Sequence, residues 1–295
     1  MTLQHDRSGT AAELRLPGTA YVDVDGRRMR IRRQGAGEPV LLLHGIGRSL
    51  EDWDEQFDRL GTRFDLVAVD LPGFGWSDRT AGRTTLAAMA AALPPLLDAL
   101  GIGGPVHVVG NSLGGAVAMR LAADRPDRVR SLVLANSAGF GREVTIALRL
   151  LAIRPISRLL LKPNRRTAAR AVRNLFPDPA VATTERIELA YAVASQPQRA
   201  DTMLEIADEL GTFRGIRPQW RQDLPEAVAR HRIPTLALWG EHDTVLPAAH
   251  LKAVTAVLPH AETHLLADAG HMPQVELPDV VAELITGFLD RNRMG

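Results

Sequence analysis

The chain has 295 residues, no cysteine, and 35 basic against 34 acidic side chains, a formal charge of +1. This balance gives no global argument for a nucleic-acid partner, and the missing thiols remove disulfides, thiol nucleophiles and cysteine metal sites. A hydrophobic share of 45% can bury a sizeable core, either as one large α/β domain with an insertion or as two modest domains.

Residues 1–18 form a polar leader, expected to be partly disordered and without the apolar core of a secretory signal. No run of about 18 apolar residues follows, so a soluble, cytoplasmic protein is expected. AYVDVDGRRMRIRR alternates around Asp25-Gly26, a hairpin signal. Four apolar runs come next, each leading through a turn into a helical pattern: VLLLHGIG, LVAVDLPGFG, VHVVGNSLGG and SLVLANSAG. Runs apolar on both faces suit a parallel sheet covered on both sides. TTLAAMAAALPPLLDAL and LGGAVAMRLAAD read as helices between them. From about Phe140 the pattern is helical, proline-punctuated and arginine-rich, with no convincing strand. The strand rhythm resumes with TLALWGEHD and THLLADAGH and ends in an amphipathic helix, QVELPDVVAELITGFLDR. The predicted architecture is α/β, a doubly wound, mostly parallel eight-stranded sheet. Its core is residues 19–139 and 232–295, and a helical cap is inserted at 140–231.

Gly110-Asn111-Ser112-Leu113-Gly114 fits G-x-S-x-G at a strand-to-helix junction. A turn that tight would hold the Ser112 hydroxyl proud of the sheet; a plain helix start capped by Ser112 is the competing reading. A serine nucleophile needs a base, and the base an orienting acid. Among nine histidines, His271 directly follows the last predicted strand. The others fall in the leader, in a glycine loop, inside strands, in and after helices, or, for His242, between the two acids of WGEHD. For the acid, WGEHD offers Glu241 and Asp243.

Together LLLHGIG, DLPGFGWSD, GNSLGG, WGEHD and AGHMPQVE resemble the α/β-hydrolase superfamily over nearly the whole chain. The resemblance implies Asp243 as the acid, from its G-x-x-D position after the penultimate strand. Some relatives carry the acid one strand earlier, where this chain has the neutral Asn136. It further implies an oxyanion hole from the backbone N–H groups of Ile46 and Leu113. No cofactor or metal is expected, because H-E-x-x-H and a Walker loop are absent and Gly73-Phe74-Gly75 lacks the third glycine of a dinucleotide site. Asp70 in DLPGFG is read as fixing loops rather than reacting.

A serine nucleophile argues against the haloalkane dehalogenase and epoxide hydrolase branches, which use aspartate. The leading expectation is a carboxylesterase or lipase-like hydrolase of a small-molecule acyl or ester substrate. The alternative is a meta-cleavage C–C hydrolase, which Asn111-Ser112 and PGFGWSD resemble. Arg48 and Met272 depart from that family's proline in the first loop and tryptophan after the histidine. A ligand-binding protein with little turnover is the non-enzyme reading. Residues 140–232 hold 16 Lys or Arg against 10 Asp or Glu, net +6. One stretch, IALRLLAIRPISRLLLKPNRR, mixes apolar and cationic residues, either as cap helices with outward arginines or as a lid that contacts lipid surfaces weakly.

Overall fold

β1 (Thr19–Val24) and β2 (Arg27–Gln34) pair antiparallel across Asp25-Gly26, which both take positive φ (52° and 75°), as a two-residue hairpin turn requires. The structure is a computed structural model describing residues 18–153, 157–158 and 160–293. Most of the expected leader, and part of the apolar and cationic stretch after Ile146, lie outside the described residues.

The hairpin continues into β3 (Glu38–Leu43), β4 (Phe64–Val69), β5 (Val106–Asn111) and β6 (Val129–Ala135), and later β9 (Thr235–Gly240) and β10 (Glu262–Leu266). The sheet order is β1-β2-β4-β3-β5-β6-β9-β10, with β2 antiparallel to β4 and all later pairs parallel. This is the doubly wound, mostly parallel sheet the sequence predicts. Alternate residues of the central strands feed two cores. Leu41, Leu43, Val67 and Val69 meet the helix Leu113–Asp124 on one face, while Val40, Leu42, Leu66 and Ala68 meet Phe57 and Phe288 on the other. Side chains of a strand alternate sides, so strands apolar throughout need helices on both.

Two helical readings are refined by proline. TTLAAMAAALPPLLDAL breaks into Leu86–Ala91 and Leu93–Ala99 at Pro94-Pro95, and the last helix restarts at Pro278. Proline lacks the N–H that a helix interior uses and is tolerated in a first turn.

Between β6 and β9 run the helices Ile146–Leu150, Arg165–Arg173, Thr184–Ala194, Arg199–Leu210 and Leu224–Ala229. The expectation of no strand in this segment is corrected by a small hairpin, β7 (Gly211–Thr212) with β8 (Gly215–Ile216). Two residues per strand are too few to leave an alternating pattern. Gly215 at φ 112° makes the return. No described helix is long and apolar enough to cross a membrane.

β4 and β5 flank β3 on opposite sides, so the order in which strands are added across the sheet reverses at β3. The loops leaving the adjacent carboxyl ends of β3 and β5 therefore face one crevice, the usual place for a ligand in a doubly wound sheet.

Candidate active site

Ser112 leaves β5 at φ 55°, ψ −116°, and the helix Leu113–Asp124 starts at the next residue. A non-glycine residue in that region costs on the order of 1–3 kcal/mol and is held only by its surroundings. Here Ser112 N–H donates to Ala135 O at 3.1 Å and Ser112 O accepts from Ala138 N–H at 3.0 Å. The strained backbone is on Ser112 itself; the glycines supply room. A Cβ at Gly110 would collide with the backbone of Gly114 and Gly115, and one at Gly114 with the Leu43 and His44 carbonyls. The motif thus lets the new helix lie directly against the end of β3.

His271 and Asp243, 28 residues apart in the chain, meet through Nδ1 and Oδ2 at 2.8 Å, and both are buried. An ionised carboxylate only accepts, so the proton lies on Nδ1 and Nε2 keeps a lone pair. Asp243 is saturated: Oδ1 accepts Val245 N–H at 2.7 Å and Leu246 N–H at 2.9 Å, and Oδ2 also accepts Asn136 Nδ2 at 2.6 Å. Burial works to raise its pKa, but the His271 ring, the Asn136 amide and the Leu246 N–H outweigh it and hold the carboxyl below the usual aspartate range. A depressed carboxyl pKa stabilises the fold fully above the unfolded value of about 3.9, and that contribution is lost as pH falls through the folded value. In acid-unfolding curves, stability should therefore fall more steeply below about pH 4 for the wild type than for Asp243→Asn. Superimposable acid limbs would contradict this. Glu241, the other acid of WGEHD, is exposed.

Ser112 and His271 line one cavity of about 530 Å³ together with Gly45, Ile46 and apolar side chains of the helical segment, among them Leu148, Val172 and Met203. Ile46, Ser112 and Leu113 also border a smaller recess of about 60 Å³. The loop His44-Gly45-Ile46-Gly47 is fixed by His44, whose Nδ1–H donates to Gly45 O at 2.7 Å while Nε2 accepts Leu71 N–H at 2.9 Å. Asp70 lies beneath that loop, accepting from Leu50 N–H and Trp76 N–H at 2.8 and 2.9 Å, a role in holding loops. His107 bonds Ser131, His250 bonds Glu143 and His260 bonds Ile233 O, and none of the three lines the cavity.

Three supports escape the sequence reading. Asn111 Nδ2 donates to His271 O at 3.0 Å and to Ala135 O at 3.1 Å, tying the histidine loop to the serine's strand. Asn136, at φ 44°, clamps the Asp243 carboxylate and also donates to Gly270 O at 3.0 Å. Glu276 straddles His271, accepting Gly270 N–H at 2.8 Å on one oxygen and Met272 N–H at 2.9 Å on the other. Burial pushes the Glu276 carboxyl up, against those two donors. The only local signal was polarity beside motif residues. Glu276→Gln retains one acceptor and replaces the other by a donor facing an N–H. It is expected to lower kcat about tenfold, because a loosened histidine loop misplaces Nε2, with KM little changed in steady-state kinetics; an equal rise in KM would argue against a positioning role.

A family model described as the alpha/beta hydrolase fold matches residues 38–278. A dihydrolipoyllysine-residue acetyltransferase component of an acetoin cleaving system from Cupriavidus necator is 37% identical over 261 residues, 87% of this chain. The chain spans 65% of that relative's length. A 2-hydroxy-6-oxo-6-phenylhexa-2,4-dienoate hydrolase from Burkholderia cepacia is 26% identical, covering 89% of this chain and 91% of its own. Among solved structures, a thermophilic esterase from Thermogutta terrifontis superposes with a TM-score of 0.75 at 25% identity, over 94% of this chain and 99% of that one.

Proposed function

The chain belongs to the α/β-hydrolase family, and on that premise we propose that it is a serine hydrolase of carboxylic esters working through Ser112, His271 and Asp243. His271 Nε2 takes the Ser112 proton as Oγ attacks the substrate carbonyl. The carbonyl oxygen gains charge beside the N–H groups of Ile46 and Leu113, each worth about 3 kcal/mol in such a transition state. The tetrahedral intermediate collapses, the leaving alcohol takes the proton from His271, and an ester to Ser112 remains. Water, deprotonated by the same nitrogen, attacks that ester and releases the acid and free Ser112. Asp243 keeps the proton on Nδ1 and stabilises the imidazolium.

The observation that carries this reading is the buried, saturated Asp243–His271 pair, whose histidine shares one cavity with a serine held at positive φ. The segment 140–231 serves as the cap, its described helices lining the cavity and setting substrate shape. Cleavage of a C–C bond is the second reading, favoured by the dienoate hydrolase relative and by Asn111 preceding the serine. Turnover of a p-nitrophenyl acyl series against a 2-hydroxy-6-oxo-dienoate decides between them. Faster turnover of the dienoate would replace the ester assignment, and turnover of neither would favour a binding protein.

A further inference from the structure

Arg199 opens the helix Arg199–Leu210 and lines the cavity that contains Ser112. Among the described residues no carboxylate pairs with it, and its Nε is buried without a hydrogen-bond partner. Burial, together with the nearby charge of Arg48, pushes its guanidinium down to about 10. The cavity's other guanidinium, that of the half-buried Arg48, is compensated. Arg48 Nε lies 3.1 and 3.0 Å from the two Asp52 oxygens, and Asp52 is itself buried. Lys162 also borders the cavity, whereas none of its described lining residues is Asp or Glu. The wall is otherwise mostly apolar, so the positive charge facing it is unanswered by protein.

The position of Arg199 relates this charge to the reacting centre. A Cβ built on Gly47 would lie 3.3 Å from Arg199 Nη2 and 3.6 Å from Nε. The guanidinium therefore lies against the loop that carries Ile46, one residue from the oxyanion donor assigned above. Gly47 has φ 68°, a conformation that favours glycine, and a side chain there would press on the guanidinium. Arg199 is half-buried with its Nε out of water; leaving such a charge unpaired costs free energy, and an arginine fork matches the two oxygens of a carboxylate.

We infer that Arg199 is a specificity residue that binds a carboxylate on the substrate, so that the preferred ester carries an acid group as well as the scissile bond. This rests on the ester-hydrolase reading and names its substrate class. With the carboxylate on Arg199, the ester carbonyl lies in the part of the same cavity bordered by Ser112 and Ile46, and the apolar lining takes the connecting carbons. A cavity of about 530 Å³ is of the size that holds a small organic molecule.

The test compares p-nitrophenyl hemiglutarate with p-nitrophenyl valerate, esters of equal chain length that differ in the terminal acid. The wild type should favour the acid ester in kcat/KM. Arg199→Gln should lower the ratio of acid to neutral ester by about 10- to 100-fold, mostly through KM, as expected for a lost charge-assisted hydrogen bond, and Arg199→Lys should recover part of it. The ratio is internal to each variant, so a general loss of activity does not mimic the effect. An unchanged ratio in Arg199→Gln overturns the inference. If the wild type cleaves neither ester, the hydrolase reading fails separately, and glutarate binding to Ser112→Ala with and without Arg199→Gln, followed by calorimetry, still tests Arg199. Binding that does not depend on Arg199 would then refute it.

Discussion

Ser112→Ala is expected to lower kcat by on the order of 10⁴-fold or more on any ester the wild type cleaves. Among the described residues that line the cavity, Ser112 is the one hydroxyl at the end of β5, at the sheet's switch point, and removing it leaves His271 with no serine proton to take. Residual rate over water would come from binding and from the Ile46 and Leu113 N–H groups, which the substitution leaves in place. A fluorophosphonate probe should label the wild type at Ser112 and leave the variant unlabelled. Near-normal ester turnover by Ser112→Ala would sink the assignment. The substitution is also expected to be neutral or slightly unfavourable to stability, because alanine inherits the φ of 55°. Unfolding curves of the two proteins separate loss of chemistry from loss of fold.

Arg30→Met should produce the largest change in stability. Arg30 is completely buried between two carboxylates, with Nη2 2.5 Å from Glu51 and Nη1 3.1 Å from Asp70. Its guanidinium also stacks 4.5 Å over the Trp76 ring. Methionine fills much of the volume but strands two buried acids, which typically costs about 3–5 kcal/mol. Against a total of about 5–15 kcal/mol this is a large loss. A shift in the urea midpoint at constant m-value would measure it. A change below about 1 kcal/mol would mean that the acids find protons or other partners at little cost. The consequence reaches the site because Asp70 also holds the Leu50 and Trp76 N–H groups beneath the His44 loop.

The same cluster marks where sequence patterns stop being informative. In RRMRIRR the alternation shows that Met29 and Ile31 share a face, and both are buried. Nothing in it shows that Arg30, on the other face, is covered as well. That depends on Glu51, Asp70 and Trp76, which are 21 to 46 residues away in the chain. Asn136 is a similar case. By itself it reads as a neutral residue at a strand end, unable to serve as the acid. In the fold it is the clamp on Asp243, because β6 and β9 are neighbours.

By itself the sequence determined the succession of strands and helices, the both-faces-covered sheet and the placing of Ser112 at a strand-to-helix junction. Each follows from contacts within a few residues: apolar periodicity, turn residues with positive φ, glycines that leave room for a neighbouring backbone. It also put Asp243 and His271 after consecutive strands, and parallel strands bring their carboxyl ends to one edge. Tertiary structure alone decided how those groups are held and what the cavity asks of a ligand. Asn111, Asn136 and Glu276 act through partners brought close by the sheet order and by the histidine loop. Arg199 stands out only because folding half-buries it in a cavity wall that holds no acid among the described residues. Burial and pairing are properties of the surroundings, and the surroundings exist only after the chain has closed on itself.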